Sequence, residues 1–505
     1  MRNYLLLPLL LLFSSVFGST HNILDYGALP GQLSTEAIQK AVDACAESGG
    51  GTVLVPSGRF ITGTIILKSH VNLHLEQGAI LEGSKDIEDY TSSFKKHGMI
   101  FCIDATHVSL TGKGIIDAQG TFFYDTTKNH VYEEFNKQMT RQKDNYMPDG
   151  TFFTDGPIKR IQMPGMTITF YHCSKVVIED ITIRDTPIWA TRFAYCDDLQ
   201  IHGISIYNNL MIPNSDGVHC TASRNIRMSD CDIRAGDDAF IVTGFDIVED
   251  RPGYSMEEQN KHKYGNKSIF SENITVSNCT FQSRSAGIRI GYGQHPIRRC
   301  VFDNIVIYNS NRGIGIFAHD EADIEDLIFS NVIIQTRLHN GQWWGNGEPI
   351  HLSSISRFEG EPAGKIINVQ FNNIIATSEH GILIYGDEEN AVEHISLNNI
   401  NLTIVKGNET MDYGGNFDLR PTAEKNKQLF KHDIPGIYAS HVNHLSINDF
   451  DLNWGENLPD FFTHGIECLN VSNLEIDNFY GIANPNSKDG KSINLVNSTL
   501  KSTNK

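Results

Sequence analysis

A pattern of four apolar residues at offsets 0, 2, 5 and 7 returns along most of the chain, and few folds can accommodate it. Val176/Ile178/Ile181/Ile183, Leu199/Ile201/Ile204/Ile206 and Ile226/Met228/Cys231/Ile233 meet it in succession, and Ile274/Val276/Cys279/Phe281, Cys300/Phe302/Ile305/Ile307 and Leu327/Phe329/Val332/Ile334 follow. Further copies run as far as Ile493/Leu495/Ser498/Leu500. Steps between successive copies up to Leu327 are 23, 27, 48, 26 and 27 residues. The period-2 alternation predicts two short strands per unit, with a bend between them at an Asp or Asn such as Asp180, Asn278, Asn304, Asn331 or Asn399. One unit cannot bury its apolar face alone, so units must stack. A leucine-rich repeat would carry a Leu-dominated consensus, and propeller blades run longer. The pattern therefore predicts an all-β fold, a right-handed parallel β-helix with about one repeat per coil.

The step of 48 residues equals one coil plus an insertion at Phe245–Ser271, and other insertions span Thr121–Ile158, Leu338–Gly364 and Val405–Pro435. Long segments without a repeat of their own are commonly functional. Near the start, Ala37, Ile38, Ala41, Val42 and Cys45 fall at helical spacing within Thr35–Glu47, which predicts an amphipathic helix capping the open N-terminal end. The first 18 residues combine Arg2, an apolar run from Tyr4 to Phe13 and small residues before Ser19, the pattern of a secretory signal peptide. Residues 19–505 then read as a single domain, secreted or periplasmic, with no membrane insertion. Nine cysteines are scattered without CxxC spacing, and Cys231 and Cys279 occupy repeat positions taken elsewhere by Ile and Val. They are expected to pack as small core hydrophobes. A net charge of −19 argues against nucleic acid as a partner. No cofactor or metal is called for, and a monomer is expected.

Two stretches stand out against this regular background, Asn214-Ser215-Asp216-Gly217 and Gly236-Asp237-Asp238, in which 21 residues separate Asp216 from Asp237. That is about one coil, and stacked strands lie roughly 4.8 Å apart. Three carboxylates are thereby gathered in one patch, where like charges raise one another's pKa. Such a cluster is unfavourable for stability, yet it suits cleavage of a glycosidic bond, which takes one carboxylic acid to protonate the leaving oxygen and one carboxylate to activate water. Because neighbours in a strand point to opposite faces, Asp237 and Asp238 can serve one site only across a bend or bulge.

With these motifs and the flanking coils, the chain resembles the family 28 glycoside hydrolases, the polygalacturonase group of the pectin-lyase-like β-helices. The family's Asn-Thr-Asp motif corresponds to Asn214-Ser215-Asp216, and its Gly-Asp-Asp motif is intact at Gly236-Asp237-Asp238. The opening segment GGGTVLVPSGRFITGTIILKSHVNLHLEQGAIL is similar to that of bacterial members. The resemblance implies Asp237 as general acid, with Asp216 and Asp238 positioning and deprotonating the attacking water, and inversion at the anomeric carbon. Two further family motifs, Gly-His-Gly and Arg-Ile-Lys, are absent. Counting coils sets Ala286 in place of the histidine, Gly315 in place of the arginine and Phe317 in place of the lysine; a rival register keeps Arg289 and still loses the lysine.

In the family the Arg/Lys pair binds the substrate carboxylate, and removing such a pair costs on the order of 2–5 kcal/mol. Either Arg289, aided by Arg284 or Arg312, supplies the positive charge, or the sugar at the cleavage point is not a plain uronate. The second reading is preferred, so the expected substrate is a plant or algal cell-wall polysaccharide or its oligosaccharides other than plain homogalacturonan. The size of the insertions points to exo action. Candidate substrate-binding residues are Asn214, His219, Arg289, Tyr292, His319, Trp343, Trp344 and Glu348, with His351 beside them. Trp343 and Trp344 are expected to stack on sugar faces. Two alternatives remain open at this level, a polysaccharide lyase on the same fold and a non-catalytic glycan-binding β-helix.

Overall fold

The structure is a computed structural model that describes residues 18–91, 97–130, 152–245, 269–387 and 391–501. The expected signal peptide, residues 1–18, lies almost wholly outside the described residues, as does most of the Phe245–Ser271 insertion. Consecutive strands of the solenoid pair in parallel, coil on coil, in a right-handed β-helix. The two arms predicted by the repeat lie in one 20-stranded sheet, and a third strand of each coil builds a second sheet of 13 strands. That third strand is invisible to the four-residue pattern, yet it carries residues such as His219 and Arg289.

In the early coils the two arms are separate strands, Ser174–Glu179 and Thr182–Arg184 for example. From Ser271–Ser283 to Val442–Trp454 they fuse into strands of 13 or 14 residues that run through the bend. The bend itself persists, because Asp180, Asn278, Asn304, Asn331 and Asn399 all adopt the left-handed conformation, with φ between 52° and 66°. Asp and Asn visit that region at lower cost than other residues with a Cβ. Their amides also bond from coil to coil, as in Asn304 Nδ2 to Asn278 Oδ1 at 2.7 Å.

Inside the solenoid the apolar positions stack in register. Phe302, Phe329 and Phe371 form a column with ring centroids 4.8 and 5.0 Å apart and planes within 9° of parallel. Burying each such side chain contributes about 1.5–3 kcal/mol. All nine cysteines are buried, Cys231 and Cys279 among the core residues as the repeat predicts. The helix Thr35–Glu47 forms with the predicted bounds, and it buries Ala37, Ile38, Ala41, Val42 and Cys45 against the first coils. Among the described residues no helix is long and apolar enough to cross a membrane.

Candidate active site

The acids lie in the bends that lead from the larger sheet into the smaller one. Strand register aligns Val218 with Phe240, Phe240 with Ile288, Ala286 with Arg312, and Ile314 with Ile350. Asp216, Asp238, Ala286, Arg312 and Glu348 therefore occupy the same step of five successive coils. Gly315 in turn pairs with Arg289, one coil further on. One coil before Asp216, the same step is Trp189, since Thr191 pairs with Val218.

Ser215 locks the two acidic motifs together. Its buried hydroxyl donates to Ile212 O at 2.8 Å and accepts the Gly236 N–H at 3.0 Å. The approach is so close that a Cβ at Gly236 would sit 2.3 Å from Ile212 O and 2.5 Å from Ser215 Oγ, so only glycine fits. The chain bends at Gly236-Asp237 as expected, which brings both neighbouring carboxyls to one site. Asp216, Asp237 and Asp238 are 3%, 5% and 4% exposed.

Their surroundings differ. Asp237 accepts from Asn214 Nδ2 at 3.2 Å and from the Asp238 N–H at 3.0 Å. Burial, and then the neighbouring Asp238 charge, push its pKa up to about 7. Asp238 is paired with a cation: the Arg289 guanidinium donates through Nε to Asp238 Oδ2, and the Ala286 N–H donates to Oδ1 at 2.9 Å. Asp216 is raised well above the ordinary carboxylate range, first by burial and then by Asp237 and Asp238. Its Oδ2 lies 3.4 Å from His219 Nδ1, while its Oδ1 is buried without a hydrogen-bond partner. The site thus holds two acids, Asp237 and Asp216, whose protons are retained by burial and neighbouring charge, beside Asp238, which is matched by a guanidinium.

Of the predicted binding residues, Asn214, His219, Arg289 and Tyr292 gather here. His219 is fully buried; its imidazole stacks on Trp189 with centroids 3.7 Å apart and faces Thr243 Oγ1 at 3.2 Å. It therefore positions Asp216 and Trp189 rather than facing a ligand. Tyr292 is half-buried, with the Arg289 and Arg357 guanidiniums 4.9 and 5.1 Å from its ring centroid.

Besides His219, three expectations need correction. His319 is 1% exposed, with both ring nitrogens engaged, at 2.9 Å by Pro421 O and at 2.7 Å by Ser353 Oγ, so it presents nothing to a sugar. Glu348 is fully buried and binds inward, to Arg312 Nη2 at 3.4 Å and to the Asn346 N–H at 2.6 Å. Burial opposes its ionisation, but the Arg312 guanidinium holds it well below the usual range. Trp343 is 3% exposed, and its indole N–H donates to Asp155 O at 2.7 Å. It is the core of a loop rather than a sugar platform, and the expected exposed pair is split: Trp344 is half-buried beneath the Arg420 guanidinium, 5.9 Å from its ring centroid.

These loops form a wall two coils beyond the acids. The Asp155 carboxylate takes Arg284 Nη2 at 2.6 Å and His339 Nδ1 at 2.9 Å, and its backbone N–H donates to Asn340 Oδ1 at 2.9 Å. The third insertion joins through Gly345 N to Asp418 Oδ2 at 3.1 Å and Asn346 Nδ2 to Asn416 O at 2.7 Å. Asn311 anchors the assembly to the solenoid by donating to Trp344 O at 2.7 Å.

Two residues of the site went unread in the sequence. Trp189 lies 27 residues before Asp216, one coil, and aligning coils would have found it. Arg160 lies two residues past the Thr121–Ile158 insertion, where no copy of the repeat falls.

A parallel β-helix with three carboxyls packed at one bend defines a class of carbohydrate-active folds, and comparison with known proteins narrows it. The model of glycosyl hydrolases family 28 matches residues 45–336, and the chain belongs to that family. It is 27% identical over 336 residues to an exo-poly-alpha-D-galacturonosidase of Dickeya chrysanthemi, covering 57% of this chain and 55% of that protein. A probable polygalacturonase of Vitis vinifera is 26% identical over 257 residues, covering 46% and 47%. The chain thus spans about half the length of these relatives. The family 28 exopolygalacturonase of Yersinia enterocolitica superposes with a TM-score of 0.64 at 17% identity, over 94% of this chain and 79% of that one.

Proposed function

We propose that the chain is an inverting glycoside hydrolase that trims the end of a pectin-type polysaccharide carrying something other than plain galacturonate at the cleavage point. The observation that carries this reading is the contrast between Asp237, protonated up to about pH 7, and Asp238, ion-paired with Arg289. In the reaction, water attacks the anomeric carbon and gives a proton to Asp238 as the glycosidic C–O bond breaks. Asp237 delivers its proton to the departing oxygen on the opposite face. Asp216, next to both, completes the pocket for the water.

A pectin-type substrate is supported by relatives described as a polygalacturonase and an exo-poly-alpha-D-galacturonosidase. The departure from plain homogalacturonan is supported by where the cations go: Arg289 is committed to Asp238, Arg312 to Glu348 and Arg284 to Asp155. Exo action is supported by the wall that Asp155 ties together beyond the acids. Export is supported by the leader in residues 1–18.

The test is digestion of pectic and algal polysaccharides followed by proton NMR and product sizing. Release of short products with inverted anomeric configuration is expected from the native protein, and release at least about a hundredfold slower from Asp237→Asn. Retention of configuration, an unsaturated uronate product, or full activity of Asp237→Asn would overturn the reading.

A further inference from the structure

The guanidiniums around the acids are not placed alike. Those of Arg289, Arg312, Arg284, Arg357 and Arg420 each lie against a carboxylate, and that of Arg192 lies over the Trp189 ring, 5.7 Å from its centroid. Arg160 differs. It closes the strand Ile158–Arg160, which pairs antiparallel with Tyr124–Asn129, and among the described residues it has no acidic partner.

Its two contacts are neutral: Nε donates to the Tyr124 hydroxyl at 3.2 Å and Nη2 to Asn214 Oδ1 at 3.1 Å. The Tyr124 hydroxyl donates in turn to Pro187 O at 2.6 Å, two residues before Trp189. Asn214 passes its own N–H to Asp237 Oδ2 at 3.2 Å. Arg160 is thus fixed over the coil that precedes the acids, half-buried and two hydrogen bonds from Asp237, and among the described residues no carboxylate lies against it and Nη1 is unengaged.

A surface arginine with no role would be free to swing. This one is held in place by two neutral acceptors, an arrangement that orients the fork for an incoming anion at little entropic cost. The chain carries a net charge of −19, so a fixed cation beside the acids with no carboxylate against it among the described residues is a local exception. A planar guanidinium matches a carboxylate through paired N–H donors.

We propose that Arg160 is a specificity-determining residue that binds the carboxylate of the sugar lying over the Trp189 coil, one coil before the catalytic acids. This deepens the hydrolase reading and rests on it for the identity of the ligand as a sugar. It also divides the substrate: acidic on the Arg160 side, and free of a required carboxylate on the side where Arg289 and Arg312 are already paired.

The experiment separates binding from turnover. In the full chain carrying Asp237→Asn, calorimetric titration is run with pectic oligosaccharides that contain galacturonate, and with the same oligosaccharides after carboxyl reduction. Adding Arg160→Gln is expected to weaken binding of the acidic set on the order of tenfold or more and to leave the reduced set unchanged. The salt dependence of binding is expected to flatten with it. Equal losses on both sets would mean that Arg160 only positions Asn214, and would overturn the proposal; so would an unchanged affinity for the acidic set, or no binding of that set at all. Turnover by the otherwise native protein is scored separately. Arg160-dependent binding without hydrolysis would sink the hydrolase reading and leave the Arg160 site standing, whereas hydrolysis indifferent to Arg160→Gln would do the reverse.

Discussion

The Arg289 guanidinium lies against the Asp238 carboxylate across one coil of the solenoid, and both are buried. Burial works against the charge on Arg289, yet Asp238 raises its pKa above the ordinary value. Removing one partner of such a pair leaves an uncompensated buried charge. Arg289→Met is expected to cost about 3–5 kcal/mol of stability and most of the activity. Chemical denaturation and kcat on the same preparation check it, with Arg289→Lys recovering part of each.

Asp237 gives a pH dependence with a definite sign. Its pKa is about 7 in the folded chain, against about 4 for an unfolded Asp. The native state therefore holds more protons between those values, and this residue's contribution to stability falls as pH rises from about 4 to about 7. Activity should fall along an alkaline limb near pH 7 as the general acid deprotonates. Asp237→Asn is expected to lower kcat by roughly 10²–10⁴-fold while melting higher than the native chain above pH 7 and not below pH 4. Thermal melts across pH, read beside the rate profile, decide this.

Trp343 and Trp344 should part company. Trp343→Ala empties a buried site and strips the Asp155 carbonyl of its donor, at a cost of about 3–5 kcal/mol. Trp344→Ala, at a half-buried position, should cost far less stability. Equal melting shifts for the two variants would contradict the assignment of Trp343 to the loop core.

Asp155 holds the wall, so its loss should alter products more than rate. Asp155→Ala frees Arg284 and His339 and loosens the joint between the Phe152–Pro157 segment and the loop at Asn340. Longer oligosaccharides are expected among the early products, measured by size-resolved chromatography at low conversion. An unchanged product ladder would mean that the wall does not set the mode of attack.

Much of the architecture was legible because it is periodic. Val176/Ile178/Ile181/Ile183 and its copies report a face that must be buried, and the Asp and Asn bends report a backbone conformation those residues tolerate. The helix Thr35–Glu47 was legible for the same reason, its five buried residues falling on one stripe. Spacing of 21 residues was enough to stack Asp216 near Asp237, since one coil is one strand separation. The binding residues were read less well. His319 and Glu348 are chemically suited to sugars, and nothing in their local sequence reveals that Ser353, Pro421 and Arg312 have already taken their polar atoms.

What the sequence determined by itself, then, is the coil: its length, its apolar face, its bends, and the step at which the three carboxyls meet. What only the tertiary structure decided is which cation each carboxylate keeps. Arg289 finds Asp238 from the next coil, Asp155 gathers its partners from segments some 130 and 184 residues distant, and Arg160 meets no acid among the described residues. The physical reason is range. Burial of a repeated face is a local property that the repeat itself records, whereas a charge pairs with whatever folding brings within a few ångströms, and insertions have no period to record it.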